Sequence, residues 1–263
     1  SCGPKSAARL KRLMPEANVT LIERGDYISY GGCGLPYYIG SIVKELNDLM
    51  TTSWDAVRTP EFMKATKDMN TLLGWEATKI DRDKKVVEVK NVKTGEEKAL
   101  PYDKVVIATG SSNSKPPITN IDAKGVFGVK TPVDGVEIQN YLKGGVGAAV
   151  VIGAGLIGME TAEAFANWGI YVTVIEMMDQ IFPKMIDKDM SIVVQDYLEK
   201  EDLNFMLSTA VKEIKVDDEG KVCGVITDKG ELDCDLVLVA AGVRPEISLA
   251  KEAGLECDRT ITV

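Results

Sequence analysis

The stretch Val150-Val151-Ile152-Gly153-Ala154-Gly155-Leu156-Ile157-Gly158 decides the fold of this chain. Its apolar start continues a run from Ala148 and predicts a buried strand, and the residues from Leu156 to Trp168 predict a helix. A Gly-x-Gly-x-x-Gly turn between a strand and a helix is typical of a dinucleotide-binding unit. We therefore expect an α/β fold here.

Each glycine of the turn has its own predicted task. Gly153 allows the tight turn, Gly155 lets a pyrophosphate approach the backbone, and Gly158 lets the helix pack closely on the strand. Leu156 and Ile157 open the helix, whose N-terminus attracts negative charge. The alternative is a glycine-rich turn that binds nothing, but strand, glycines, helix, strand and acid all follow in the expected order.

Glu176 is the acid of this pattern. It ends the next predicted strand, Tyr171 to Ile175, and lies 23 residues after Gly153. A carboxylate there can accept hydrogen bonds from an adenosine ribose and repels a 2′-phosphate. No Arg or Lys follows Glu176 until Lys184, so we expect NADH to be preferred over NADPH.

The same helix–strand–acid order occurs near the start of the sequence. Gly3 precedes a predicted helix, Ser6 to Met14, which Pro15 stops, and the apolar run from Val19 ends in Glu23. An ordinary helix–strand pair is the alternative, because the strand and glycines that would come first are not in the chain. The repetition predicts an α/β chain with two Rossmann-like dinucleotide-binding domains.

Cys33 lies among glycines, in Ser29-Tyr30-Gly31-Gly32-Cys33-Gly34-Leu35-Pro36-Tyr37-Tyr38. A cysteine that leads into a helix gains amide donors and a favourable dipole, and both favour the thiolate. A buried structural cysteine is the commoner alternative. The flanking glycines argue against it, because glycine suits the close approach of a ligand.

Five further segments have clear patterns. They predict a helix from near Pro60, a hairpin of Lys79–Lys90 with Glu97–Tyr102, a buried strand at Lys104–Ala108, an amphipathic helix at Asp187–Lys200 with its apolar side chains in a core, and a hairpin of Val222–Thr227 with Glu231–Ala240.

Composition excludes several classes of function. The chain has 263 residues, a net charge of −9 and no histidine, which argues against nucleic-acid binding, His-based triads and most catalytic zinc sites. No apolar run approaches the roughly 18 residues of a membrane span. The five cysteines are irregularly spaced and predict neither a disulfide framework nor a metal site, so we expect a reducing cytoplasm. Apart from Cys33 they are expected to be structural, with Cys223 and Cys234 filling core space.

Together these motifs resemble the pyridine nucleotide-disulfide oxidoreductases. The similarity is strongest to the single-cysteine branch of coenzyme A disulfide reductases, NADH oxidases and NADH peroxidases, and it runs along essentially the whole chain. Its markers are Glu23-Arg24-Gly25, Ser29 to Gly40, Ala108-Thr109-Gly110-Ser111, Gly153 to Glu176, and Gly242-Val243-Arg244-Pro245.

The resemblance implies FAD and NADH as cofactors, NADPH being less favoured, and a NAD(P) domain inserted into a FAD domain. The Ser/Pro-rich segment after Gly110 and the Gly242–Pro245 segment would be the crossings. Residues 1–118 and 244–263 would then form an incomplete FAD domain and residues 119–243 the NAD(P) domain. The implied FAD-binding residues are Gly3, Glu23, Arg24, Ser29, Ala108, Thr109, Gly110 and Gly242.

The sequence also departs from the family pattern. Dithiol relatives carry a second cysteine where Tyr38 stands, so Cys33 cannot form an internal disulfide. Gly32 replaces the Asn that often precedes the cysteine in the coenzyme A branch. The first flavin-domain strand, a later Gly-Asp motif and a C-terminal dimerisation domain are missing, so we expect truncation at both ends and a homodimer for the complete protein.

Three functions remain open at this point. The preferred one is NADH-dependent reduction of a disulfide or persulfide of a small thiol, with coenzyme A as the candidate thiol, through Cys33. The second is an NADH oxidase or peroxidase that reduces oxygen species through a cysteine sulfenic acid. The third is a nucleotide-binding module without activity. Lys11 and Arg12 are expected to be exposed, either as a solvated helix face or as partners of a coenzyme A phosphate.

Overall fold

A computed structural model describes residues 2–263 as a mixed α/β chain. Two 3-10 turns, Gly32–Gly34 and Leu46–Met50, accompany the longer elements. The helices are α1 (Cys2–Leu13), α2 (Leu35–Ile39), α3 (Pro60–Lys67), α4 (Pro132–Lys143), α5 (Leu156–Ala166), α6 (Lys188–Lys200) and α7 (Ser248–Glu252). The strands are β1 (Val19–Glu23), β2 (Met69–Leu73), β3 (Trp75–Asp81), β4 (Val86–Asn91), β5 (Glu97–Pro101), β6 (Ser111–Asn113), β7 (Val126–Phe127), β8 (Ala148–Ile152), β9 (Tyr171–Ile175), β10 (Leu203–Met206), β11 (Val211–Val216), β12 (Val222–Thr227), β13 (Gly230–Asp233), β14 (Leu236–Val239) and β15 (Val243–Pro245).

The chain divides into two compact units. The first contains Ser1–Gly31, Asn47–Ser112 and Arg244–Val263, and the second contains Gly32–Leu46 and Asn113–Val243. The chain therefore leaves the first unit twice, once for the cysteine segment and once for the long insertion. No helix among residues 2–263 is both long and apolar enough to span a bilayer.

The first unit is built on two small sheets. β1 and β2 pair in parallel, and α1 and α3 pack beside them around a core that includes Ala7, Val19 and Met69. β3, β4 and β5 form an antiparallel sheet whose core includes Trp75 and Val89. The predicted helix near Pro60 is present as α3. The predicted hairpin is present as β4 with β5, but a turn divides its first predicted strand, Lys79–Lys90, between the end of β3 and β4.

The predicted buried strand at Lys104–Ala108 was wrong. This segment has no regular secondary structure and pairs with no strand of the described residues, and Val105 and Val106 are 41% and 64% exposed. A strand needs a neighbour to satisfy its backbone groups and cover its side chains. The apolar side chains of Lys104–Ala108 therefore stay largely exposed. The local sequence predicts a strand but does not say whether a second strand lies beside it.

The second unit contains a parallel sheet in the order β10-β9-β8-β14-β7. Its central strands are covered on both faces, because the consecutive residues Val150 and Val151 of β8, and Val237 and Leu238 of β14, are all at most 2% exposed. A right-handed β8–α5–β9 crossover is the usual way to connect such parallel neighbours. The predicted α/β fold class is confirmed by this sheet and its helices.

The second predicted hairpin was only half right. β12 pairs with β13 across the turn at Asp228–Lys229, but the chain then leaves this antiparallel sheet and Leu236–Val239 joins the parallel sheet as β14. All four residues of β14 are buried. A continuous apolar run is typical of a central parallel strand, which explains why the alternation does not continue.

The apolar side chains of α6 are not in a core, contrary to expectation. Met190, Ile192 and Val193 are all more than half exposed, and only Ser191 of this helix is buried. The helical period was recognised correctly, but the buried face is determined by what packs against it. The buried side of α6 is the side of Ser191, whose hydroxyl donates a hydrogen bond to the carbonyl oxygen of Ile181 at 3.0 Å.

Candidate functional site

The glycine-rich turn after β8 needs glycine for steric reasons at two positions. Gly153 has a φ of +107°, and a Cβ placed there would lie 2.6 Å from the carbonyl oxygen of Ala240. A Cβ at Gly158 would lie 2.0 Å from the carbonyl oxygen of Gly153. These two residues therefore allow the turn to close on the sheet and α5 to pack against it.

Gly155 differs from the other two, because a Cβ there would meet no atom within 4 Å. It is the N-cap residue of α5 and supplies no side-chain acceptor, and the next two residues, Leu156 and Ile157, are 50% and 39% exposed. Open space therefore lies beside Gly155 at the start of α5, where a helix N-terminus can bind a phosphate anion. The role of these residues in binding stays a prediction.

Glu176 connects this turn to the end of β9. Its Oε2 accepts a hydrogen bond from the backbone N–H of Ala154, and its Oε1 accepts one from the backbone N–H of Met178, both at 2.9 Å. A carboxylate can accept about four hydrogen bonds, so two more remain available for a ligand such as a ribose. Met177, the next residue, is 74% exposed and carries no charge that could attract a phosphate.

Cys33 lies in the 3-10 turn Gly32–Gly34, directly before α2, and its side chain is exposed. Tyr38, at the position of the second cysteine in dithiol relatives, is 8% exposed on α2. The alternative of a buried structural cysteine therefore does not apply to Cys33, which is open to a small reactant.

The cysteine segment packs within the second unit. Leu35 and Ile39 of α2 are 1% and 0% exposed. A Cβ at Gly40 would lie 3.2 Å from the Cα of Ala164 on α5, and a Cβ at Gly135 on α4 would lie 3.4 Å from Leu35. α2 therefore lies against both α4 and α5, on small residues that allow close approach.

Several residues predicted to bind FAD lie together in the first unit. Gly3, which is part of α1 and does not precede it, is so placed that an added Cβ would lie 3.5 Å from Cβ of Ala108. Glu23 ends β1 and accepts a hydrogen bond from the N–H of Gly25 at 2.8 Å. Two other candidates are less constrained: Arg24 pairs with Glu76 at 3.4 Å on the surface, and Ser29 is half-buried in the loop after β1.

The markers around Thr109 and the end of the chain also meet. The Thr109 hydroxyl donates to the carbonyl oxygen of Glu246 at 2.6 Å, and the N–H of Glu246 donates to the carbonyl oxygen of Gly110 at 2.9 Å. Gly110 and Gly242 have φ values of +74° and +93°, which favour glycine. Segments 137 residues apart are therefore joined at the predicted flavin side.

The remaining cysteines divide into two groups. Cys234 is 4% exposed, and burial raises the pKa of its thiol to about 12. Cys223 is exposed, so the prediction that it fills core space was wrong. Cys223 belongs to β12, where alternate side chains point to opposite faces of the strand, and the outward position is the exposed one.

Lys11 is buried and not exposed, contrary to prediction. Its ammonium group donates to the carbonyl oxygen of Ala17 at 2.9 Å, to that of Pro15, and to the carboxylate of Asp68 at 3.0 Å. The Lys64 side chain first, and then Lys11, hold the pKa of Asp68 below its usual value. Lys11 therefore ties α1 to the end of α3, whereas Arg12 is exposed.

Two residues near the cysteine segment were not found from the sequence. Gln139 and Trp168 donate hydrogen bonds to carbonyl groups of α2 from positions 101 and 129 residues away along the chain. A local pattern carries no signal for a contact at that separation. Gln139 belongs to none of the motifs, and Trp168 lies within the Gly153–Glu176 marker without a role assigned to it.

Known proteins share this arrangement along nearly the whole chain. The sequence profile of the family described as pyridine nucleotide-disulphide oxidoreductase matches residues 1–263. A curated NADH oxidase of Methanocaldococcus jannaschii is 37% identical over 97% of this chain and 55% of its own length. An NAD(P)H sulfur oxidoreductase (CoA-dependent) of Pyrococcus furiosus is 34% identical over 99% of this chain and 56% of its own. The chain thus spans about half the length of these curated relatives.

Among solved structures, a NAD-dependent persulfide reductase from A. fulgidus is 41% identical. It superimposes with a TM-score of 0.94 over 97% of this chain and 47% of its own chain. The fold described above is therefore shared with that reductase over the part that the two chains have in common.

Proposed function

Since the chain belongs to the pyridine nucleotide-disulphide oxidoreductase family, we propose that it passes electrons from NADH, through FAD, to a disulfide or persulfide of a small thiol such as coenzyme A. The resemblance drawn from the motifs is confirmed by the family match. The observation that carries the proposal is Cys33, an exposed single cysteine with the buried Tyr38 in place of a partner thiol.

On the nicotinamide side, the proposed binding residues form one connected group. The open space at Gly155 and the uncapped first turn of α5 would hold the pyrophosphate. Glu176, with free acceptor capacity beside the turn, would bind the adenosine ribose and disfavour a 2′-phosphate.

On the flavin side, the residues present fit a dinucleotide. Gly3 keeps the start of α1 free of a side chain next to Ala108, and Glu23 at the end of β1 offers a carboxylate for the ribose. Arg24, Ser29, Thr109, Gly110 and Gly242 complete the proposed set. When bound, FAD would accept a hydride from the nicotinamide and make its two electrons available to sulfur.

Cys33 would carry the sulfur chemistry by thiol–disulfide exchange. Its thiolate attacks one sulfur of the substrate disulfide, forms a mixed disulfide and releases the other half as a thiol. Two electrons and a proton then cleave the mixed disulfide, which restores the Cys33 thiolate and releases the second thiol. The exposure of Cys33 provides the access that both steps need.

An NADH oxidase or peroxidase is the second candidate, favoured by the 37% identity to the Methanocaldococcus jannaschii NADH oxidase. In that case peroxide would oxidise Cys33 to a sulfenic acid, which two electrons return to the thiolate with release of water. A third candidate is a nucleotide-binding module without activity, because the chain spans about half of its relatives. A visible flavin band in the purified protein supports an enzyme, and a colourless protein supports the module.

The domain assignment belongs to the same proposal. Residues 1–118 and 244–263 would bind FAD, and residues 119–243 would bind the nicotinamide cofactor. The two compact units divide after Ser112 and after Val243, close to the proposed domain boundaries at 118 and 243. The segment Gly32–Leu46 differs, because it belongs to the second unit. A homodimer and a reducing cytoplasm are proposed with it. The mass of the flavin-loaded protein in solution, measured by light scattering, tests the dimer.

The deciding experiment compares acceptors under identical conditions. NADH oxidation by the flavin-loaded protein is measured anaerobically with coenzyme A disulfide or with polysulfide plus coenzyme A, and aerobically with oxygen or peroxide. Faster turnover with the sulfur acceptors is expected. Turnover with oxygen species alone would replace the first candidate by the second.

A further inference from the structure

The last two carbonyl groups of α2, the short helix that follows Cys33, accept hydrogen bonds from side chains distant in sequence. The Gln139 side chain of α4 donates from Nε2 to the carbonyl oxygen of Tyr38 at 3.0 Å. The Trp168 indole, just after α5, donates from Nε1 to the carbonyl oxygen of Ile39 at 2.7 Å. We call these two residues the α2 clamp.

The orientation of the Gln139 amide is fixed by its second neighbour. Lys143 donates from Nζ to Oε1 of Gln139 at 3.0 Å, which leaves the amide nitrogen to face the Tyr38 carbonyl. Gln139 is 8% exposed, so water competes little for this bond. A hydrogen bond in such surroundings is directional and costly to leave unmade.

α2 needs these donors because it is only five residues long. A helix of that length is not stable by itself, and its last carbonyl groups have no partner within the helix. The Tyr38 carbonyl also accepts the N–H of Ser41 at 3.0 Å, so Gln139 adds a second bond there. Gly40, which ends α2, approaches Ala164 so closely that an added Cβ would lie 3.2 Å from its Cα. The clamp and this contact together fix where α2 lies in the second unit.

We infer that Gln139 and Trp168 are positioning residues for Cys33, acting through α2 without touching the sulfur. The inference rests on the proposed function, in which the Cys33 sulfur must meet both an electron donor and a substrate disulfide. Cys33 lies two residues before α2, so a displacement of the helix moves the sulfur with it. Misplacement of a reacting group by about 1 Å can cost a large factor in rate.

The test uses two variants that keep shape and remove the donor, Gln139→Met and Trp168→Phe, in the flavin-loaded protein. Each should lower kcat for disulfide reduction about threefold to tenfold, the effect expected from the loss of one neutral hydrogen bond. KM for NADH and the rate at which NADH bleaches the flavin band should stay within about twofold of the parent, since neither depends on Cys33.

A matched control separates positioning from general loosening. Ser191→Ala removes another buried side-chain bond to a carbonyl of the same unit, that to Ile181, and should leave kcat unchanged. The inference is overturned if either clamp variant folds and keeps the parental kcat, or if Ser191→Ala lowers kcat equally. If Gln139→Met does not fold, Trp168→Phe alone decides. Retained turnover in Cys33→Ser would instead refute the proposed function, independently of the clamp.

Discussion

The carboxylate of Glu176 accepts a hydrogen bond from the backbone N–H of Ala154 at 2.9 Å, across 22 residues of sequence. The residue proposed to select the cofactor therefore also holds the glycine turn in place. A substitution at Glu176 therefore changes both cofactor selection and the position of the turn. The ratio of kcat/KM for NADH to kcat/KM for NADPH separates the two effects, because a displaced turn lowers both values.

Glu176→Arg should narrow or reverse the preference for NADH over NADPH. The substitution removes a charge that repels the 2′-phosphate and adds a cation that attracts it. Activity with NADH should also fall, since the bonds to Ala154 and Met178 are lost. The measurement is kcat/KM for both cofactors, with the exposed Glu199→Arg as a charge-matched control. A parental enzyme that prefers NADPH would contradict the assignment of Glu176.

Cys33→Ser should abolish disulfide reductase turnover and leave flavin binding intact. In an anaerobic dithionite titration the parent should take up about two electrons beyond those of the flavin if Cys33 is oxidised as isolated, and the variant should not. Cys223→Ser, which changes another exposed cysteine, is the control and should match the parent. Loss of turnover in the control would show that Cys33 is not the only redox thiol.

Two glycine variants should separate the steric and binding roles of the turn. Gly158→Ala places a Cβ 2.0 Å from the Gly153 carbonyl oxygen and should destabilise the protein by about 1–3 kcal/mol, as overpacking does. In Gly155→Ala the added Cβ lies in open space, so stability should change by less than about 1 kcal/mol. NADH binding should weaken, because the methyl group occupies space proposed for the pyrophosphate. Urea unfolding and NADH titration of both variants give the comparison. Equal loss of stability in the two would exclude a ligand-specific role for Gly155.

Stability should fall in alkaline solution partly because of Cys234. Burial raises the pKa of this thiol from 9.0 to about 12, so the folded state keeps a proton that the unfolded chain loses. The stabilising contribution is complete below pH 9.0 and is lost as the pH rises towards about 12. Cys234→Val should therefore lose less stability than the parent between these limits, with a difference on the order of 1 kcal/mol. Identical pH profiles from urea unfolding would show that the thiol does not contribute.

The nucleotide fold around Gly153 could be predicted because its determinants are local. Within one short stretch the sequence specifies the strand, the turn and the start of α5, and Glu176 follows at the end of β9. Gly158 acts on the carbonyl of Gly153, which is close in sequence, so the spacing of these two glycines carries the information, whereas the contact of Gly153 with Ala240 joins distant segments.

The misjudged features depend on contacts between distant parts of the chain. Val106 has the side chain of a buried strand, but no strand of residues 2–263 lies beside it. Lys11 has the side chain of a solvated helix face but bonds Asp68, 57 residues away. Met190 occupies an apolar helical position and is nevertheless 53% exposed. In each case the local pattern is correct and the partner determines burial.

The bond from Trp168 to Ile39 gives the protein an optical reporter of its own. Of its three tryptophans, Trp54 is 78% exposed and Trp75 is 7% exposed, with the Lys98 ammonium 4.2 Å from its ring centre. Among the three, Trp168 is the one whose indole N–H donates to α2, at the carbonyl oxygen of Ile39. With the other two replaced by phenylalanine, the emission wavelength of Trp168 would follow the cysteine segment in real time, with no added dye.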